Sequence, residues 1–228
     1  MQRRLRSTSD AAAASPVTAE PPVTCALCPR LAAFREANRA TEPDWFNAPV
    51  PSFGGEGARL LVVGLAPGLK GANRTGRPFT GDFAGELLYG TLLEYGFARG
   101  TYAARPDDGL ELVDCMISNA VRCVPPENKP TPSEANTCNR FLSARIAAQG
   151  RLVAILALGR IAHDATLAAS GERKAAHPFG HGAEHNLRPG LTLFDSFHCS
   201  RYNTSTRRLT PEMFRAVFAR IRAHLDAA

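Results

Sequence analysis

The stretch ARLLVVGLAPGLKGANRTGRPFTGD, Ala58 to Asp82, runs from an apolar segment into a loop with five glycines and two prolines. ARLLVV lacks a clean alternation of apolar and polar residues, as expected of a parallel strand covered on both faces. A glycine-rich loop after such a strand raises the question of a phosphate cradle. The nucleotide-binding pattern needs four residues between two glycines, then lysine and a hydroxyl residue. Here Gly64 and Gly68 enclose three, Leu69 separates Gly68 from Lys70, and Gly71 stands in the hydroxyl position. Nucleotide hydrolysis therefore fails on its defining residues. What remains is a strand end freed by glycine, a Pro-rich turn, the aromatic Phe79 and the carboxylate of Asp82, the ingredients of a pocket for a flat ring. Asp82 is also placed to cap a helix beginning at Phe83.

Three further apolar runs read as buried strands: LVDCMISNAV from Leu112, LVAILALG from Leu152 and LTLFDSF from Leu191. Helical spacing of apolar residues marks FAGELLYGTLLEYG from Phe83, PSEANTCNRFLSARIAAQ from Pro132, RIAHDATLAAS from Arg160 and PEMFRAVFARIRAHL from Pro211. Pro132 and Pro211 each follow a threonine, a cap before a first-turn proline. Alternating strands and helices predict a three-layer α/β/α fold around a central, mostly parallel four-stranded sheet. Ligands of such folds gather at the carboxyl ends of the strands. The segments to interrogate are therefore the opening loop after Val63, SNAVRCVPPENKP after Ile117, GRIAH after Leu158 and HCSRYNTSTRRL after Phe197.

The chain of 228 residues suits one domain, with 44% hydrophobic and 21% charged residues and no apolar run long enough for a membrane span. A net charge of +6, carried by arginine far more than lysine, favours a polyanionic partner and leans toward nucleic acid. Residues 1–20 are basic, small and polar. They read as a disordered tail ahead of a single domain at 21–228, with no apolar core for a secretory signal. The six cysteines then belong to a reducing compartment, where metal binding is commoner than disulfides.

Cys25 and Cys28 form a CxxC, and Cys123 and Cys138 follow with fourteen residues between them. Four thiolates from three segments suit either tetrahedral zinc or an iron-sulfur cluster, and spacing alone leaves both open. Cys115 belongs to a buried strand. In the last loop His198 sits directly beyond a strand, with Arg201, Arg207 and Arg208 able to meet a phosphodiester backbone.

Taken together, GLAPGLKGANRTGRPFTGD, NAVRCVPPENKPTP, LALGRIAHDA with HPFGHGA, and HCSRYNTSTRRLT resemble the uracil-DNA glycosylase superfamily, most closely its B-type iron-sulfur family, family 5. The resemblance covers nearly the whole chain from Cys25. It implies a [4Fe-4S] cluster on Cys25, Cys28, Cys123 and Cys138, and hydrolysis of an N-glycosidic bond after the damaged base is swung out of DNA. The partner would be DNA containing uracil or other deaminated bases, and the protein a cytoplasmic monomer of bacterial type, nucleoid-associated through DNA. Asp82 is the candidate for water and the oxocarbenium-like sugar, His198 for the uracil O2, and Asn128 a second catalytic candidate. Gly64, Phe79 and Asn119 would bind the base, with Phe79 stacking on it and Asn119 meeting O4 and N3–H. No lysine occupies an obvious Schiff-base position, so strand cleavage is not expected.

Three departures bear on this. Leu65 stands where the related family 4 has an acidic residue, which shifts the activation of water to Asp82 and Asn128. Some B-type members carry alanine where this chain has Asn119. Cys199 replaces a proline common after the active-site histidine, which raises the question of a nucleophilic thiol. Arg208 and Leu209 are positional candidates for filling the gap left by the base. The alternative from another class is a non-catalytic iron-sulfur or zinc nucleic-acid-binding module.

Overall fold

The computed structural model describes residues 18–228. In chain order its elements are α1 (Pro29–Thr41), β1 (Phe53–Gly54), β2 (Leu60–Gly64), α2 (Ala72–Thr75), α3 (Phe83–Glu94), β3 (Ala98–Arg99), β4 (Glu111–Leu112), β5 (Cys115–Asn119), α4 (Pro132–Ala148), β6 (Ala154–Leu158), α5 (Arg160–Ala169), β7 (Glu184–Arg188), β8 (Leu191–Ser196), α6 (Arg201–Ser205) and α7 (Pro211–Asp226). The four apolar runs become β2, β5, β6 and β8, all parallel. Val62 lies in register with Ile117 on one side and Leu156 on the other, and Leu156 with Phe194.

The sheet is wider than the four strands expected. Its order is β1-β5-β2-β6-β8-β7, and the two outer strands run antiparallel to their neighbours. Neither carries the signal of a buried strand: β1 is two residues long, and β7 reads EHNLR with only Leu187 buried. A separate β3–β4 ribbon lies outside the sheet.

Alternate residues of the central strands serve opposite helix layers. Leu60, Val62, Ile117, Leu156 and Phe194 belong to one core with Leu88 and Leu92 of α3 and Phe214 and Phe218 of α7. Leu61, Val63, Met116, Ile155 and Leu193 belong to the other, with Leu142 and Ile146 of α4 and Ala162 and Leu167 of α5. Each such buried aliphatic or aromatic side chain contributes ~1.5–3 kcal/mol over exposure, which explains why these strands are mainly apolar. The anticipated caps are present: the Thr131 side chain accepts from the Glu134 N–H in a capping box, and Thr210 accepts from Met213.

The N-terminal segment is built into the domain earlier than expected. The reading of a disordered tail at residues 1–20 lies outside the described residues as far as position 17, but Glu20 is already tied down. Its carboxylate accepts from the buried Arg122, from Arg145 at 2.7 Å and from the Ser52 N–H at 3.1 Å. Helix α1, which the sequence reading did not anticipate, is pinned to α4 by a two-pronged bond from Arg30 to Glu134, at 2.8 and 2.7 Å.

Candidate active site

The carboxyl ends of β2, β5, β6 and β8 open onto a cavity of about 650 Å³. All four segments singled out by the sequence contribute to it: Leu65, Phe79 and Asp82, then Asn119 and Asn128, then Gly159 and Arg160, then His198, Arg201 and Arg208. The volume falls in the ordinary range for small-ligand sites, roughly 300–1,000 Å³.

Phe79 occupies this wall in a left-handed backbone conformation, φ 54°, that a bulky residue adopts only when its surroundings impose it. The imposing bonds are visible. Tyr89 Oη donates to the Pro78 carbonyl at 2.6 Å and Tyr102 Oη to the Phe79 carbonyl at 3.2 Å. Arg77 Nε donates to Thr80 Oγ1 at 2.7 Å, while its guanidinium grips Asp108 at 2.8 and 2.7 Å. Burial opposes the Arg77 charge, but the Asp108 bonds outweigh it and raise the pKa; the same guanidinium holds the Asp108 carboxyl well below its usual range. The motif GRPFT is thus a scaffold that holds the Phe79 ring.

Gly64 lies beneath that ring. A Cβ there would stand 2.4 Å from Asn119 Oδ1 and 2.6 Å from Phe79 Cζ, so glycine is what lets ring and carboxamide converge. Gly64 is absent from the cavity lining and acts through this close approach. Asn119 is 3% exposed, and its Oδ1 has no hydrogen-bond partner. An orphan acceptor buried at a cavity wall is costly unless a ligand donor meets it.

Asp82 does cap α3, its Oδ1 accepting from the Gly85 N–H at 3.1 Å. Its other oxygen lies over bare backbone: a Cβ at Gly71 would stand 2.6 Å from it, and one at Gly68 3.3 Å. Burial raises its pKa, against the pull of the Gly85 and Ala84 N–H groups. His198 responds to the same dryness in the opposite sense. Burial lowers its pKa to about 4, so the imidazole is neutral at pH 7. Its ring stacks toward Phe79, with centroids 5.9 Å apart and planes at 27°. Asn128 reaches the cavity from a left-handed pair with Glu127, at φ 57° and 55°.

Some expectations change. Arg201 and Arg208 line the cavity, but Arg207 does not; it occupies a left-handed turn, φ 56°, and is exposed. Leu209 is fully buried in the core and cannot fill a gap in DNA. Cys199 is buried too, against the Ala84 carbonyl at 3.5 Å, and burial pushes its thiol pKa up, the reverse of what a nucleophile needs. Cys115 is inert by the same test. Arg160 and Phe179 are among the cavity residues to which the sequence points no role, although HPFGHG places an aromatic among glycines. Tyr202 was missed as well; it is 71% exposed at the cavity mouth. Among the described residues no lysine lines the cavity.

Cys28 and Cys123 meet beside Leu31 and Val121. Burial raises the pKa of Cys28, with Glu134 and Cys25 adding to the rise. Cys123 is raised by burial too, with Cys25 and Cys28 adding. Burial raises the pKa of Cys138 to about 12, with Cys123 and Cys28 adding to the rise. Three segments of the chain thus bring Cys25, Cys28, Cys123 and Cys138 into one neighbourhood. Arg35 donates to Cys123 Sγ at 2.8 Å and the Arg122 N–H to Cys138 Sγ at 3.4 Å. N–H groups aimed at sulfur suit thiolates that carry a metal cluster, and such a cluster supplies the positive charge that buried thiols lack.

An α/β/α domain with a cavity of this kind at its strand ends has relatives. The profile of the Uracil DNA glycosylase superfamily matches residues 51–222. A type-5 uracil-DNA glycosylase from Thermus thermophilus is 50% identical over 196 residues, spanning 83% of this chain and 89% of the relative. One from Mycobacterium tuberculosis is 41% identical over 207 residues, 85% of this chain and 75% of the relative. A type-4 uracil-DNA glycosylase from Sulfurisphaera tokodaii is 28% identical over 174 residues, 74% and 72% of the two chains. The chain belongs to the uracil-DNA glycosylase superfamily and, within it, to the type-5 family.

Proposed function

We propose that this protein is a monofunctional DNA glycosylase that hydrolyses the N-glycosidic bond of uracil in DNA and leaves an abasic site. Other deaminated bases that fit the cavity are secondary substrates. The observation that carries this reading is the convergence at one dry cavity of a carboxylate, a neutral imidazole and an orphan carboxamide acceptor.

The chemistry separates opposite charges: C1′ becomes cationic while the base departs as an anion. Asp82, poorly solvated, stabilises the cationic sugar and orients or deprotonates the attacking water. The neutral His198 donates a hydrogen bond to O2 of the leaving uracil without surrendering its proton. Asn119 accepts from N3–H through Oδ1, which satisfies the orphan, and donates from Nδ2 to O4. Phe79 stacks on the ring, and Asn128 assists at the sugar side. Cys25, Cys28, Cys123 and Cys138 hold a [4Fe-4S] cluster. When bound, it cross-links the segment before α1 to the loop after β5 and to α4.

The test is incubation of the purified protein with a uracil-containing duplex followed by alkali. Alkali-labile breaks at uracil, and none before alkali, are expected. No break on any of several deaminated substrates would leave a DNA-binding module in place of an enzyme.

A further inference from the structure

Three arginines at the cavity mouth lie over phenylalanine rings that also line it. Arg160 lies over Phe179 at 5.2 Å, Arg201 over Phe83 at 5.1 Å and Arg208 over Phe197 at 4.6 Å. They come from two adjacent strand ends: Arg160 follows β6, and Arg201 and Arg208 follow β8. Arginines stacked elsewhere have acid partners, Arg77 with Asp108 and Arg222 with Asp226. The three at the mouth pair with no carboxylate among the described residues. Their charge is held in place by rings and left uncompensated.

We propose that these guanidinium–phenyl stacks form a collar that meets the DNA phosphates around the cavity mouth whether or not a nucleotide is extruded, with Arg160 a DNA-backbone contact in its own right. The inference rests on the reading that the ligand is DNA. A stacked guanidinium keeps its edge free, and that edge presents the fork of N–H donors that fits a phosphate. The Phe179 platform is itself fixed. It sits edge-on to His163 at 5.5 Å, and His163 bonds Asp195 at 2.7 Å and the carbonyl of His177 at 2.9 Å. The loop that carries Phe179 is thus anchored to β8, and Arg160 has a rigid surface to lie on.

Binding of the full-length protein to a uracil-containing duplex and to an undamaged duplex, titrated across KCl concentrations, tests this. Each phosphate neutralised contributes about 0.9 to the slope of log K against log salt. Arg160→Ala should lower that slope by about 0.9 and weaken both duplexes by the same factor. Arg160→Lys should restore the slope while recovering only part of the affinity, because the charge returns without the planar stack. Arg99→Ala, an exposed arginine paired with Glu111, is the control and should leave the slope unchanged. Thermal melts report whether each variant folds, and Arg160→Gln replaces any that does not. An unchanged slope for Arg160→Ala, or a loss confined to the uracil-containing duplex, would overturn the collar. Undamaged duplex reports the collar even if the unaltered protein releases no base, so failure of the glycosylase reading stays distinguishable.

Discussion

Asp82→Asn separates the two jobs of one side chain. The cap on α3 is a single bond, from the Gly85 N–H to Oδ1 at 3.1 Å, and an asparagine oxygen can accept it equally well. What the substitution removes is charge. If the carboxylate activates water and steadies the sugar cation, single-turnover release of uracil should fall by ~10²–10⁴ while duplex binding persists. The stability consequence has a definite sign. Burial raises the Asp82 pKa, so the folded state holds that proton more tightly than the unfolded chain, and the ionised form costs stability above the folded pKa. The asparagine variant should therefore melt at or above the temperature of the unaltered protein at neutral pH. That gap should close as pH falls through the Asp82 pKa. Asp82→Ala also loses the cap, at about 1 kcal/mol, and should melt lower. Rapid-quench release of labelled uracil, with melts of all three proteins, reads both effects. Unchanged release from Asp82→Asn would show that the sugar-side role belongs to another group.

Three other outcomes are expected. The purified protein should be brown, with broad absorbance near roughly 400 nm and iron by elemental analysis, and Cys123→Ser should bleach it; a colourless protein with stoichiometric zinc from iron-replete expression would reject the cluster. Gly64→Ala drives a Cβ to 2.4 Å from Asn119 Oδ1 and 2.6 Å from Phe79 Cζ, and a displacement near 1 Å at a reacting group costs on the order of 10²-fold in kcat/KM; full activity would mean that the ring and carboxamide do not hold the base. His163 is pulled down by burial, but its bond to Asp195, with the Asp195 charge and the His177 carbonyl, leaves its pKa raised. Its stabilisation is therefore complete below the unfolded value of about 6.5 and lost as pH rises through the folded pKa. The melting deficit of His163→Gln should shrink over that window, and a deficit independent of pH would contradict it.

The central sheet was legible because burial on both faces favours mainly apolar runs, and ARLLVV, CMISN, AILAL and LTLF are such runs. The edge strands were not, because a strand with one free side has no such demand on its composition. Helix α1 was hidden for a related reason: its anchors, Arg30, Arg35 and Leu31, meet partners about a hundred residues away or in an unannounced pocket, which local periodicity does not reveal. The candidate site was legible wherever chemistry is written at a strand end, at Asp82, Asn119 and His198. Arg160 and Phe179 stayed silent because each means little alone. Only folding sets a helix-start arginine over a ring from a loop nineteen positions away.

Leu65 is the remaining departure, and the dryness around Asp82 accounts for it. Two carboxylates at one sugar would repel each other, and the more buried of them would take up a proton, leaving one working anion. An apolar residue at the same wall instead lowers the local dielectric, which strengthens the attraction between a single carboxylate and a developing cation. The same environment keeps His198 neutral, so in the proposed reaction it donates to the leaving base without first having to lose a charge. Leu65 thus fits the proposed division of work between one carboxylate and one imidazole. Leu65→Asp should reintroduce the conflict: release in the neutral range should become more strongly pH-dependent as the two acids share a proton. A profile superimposable on that of the unaltered protein would remove this account of Leu65.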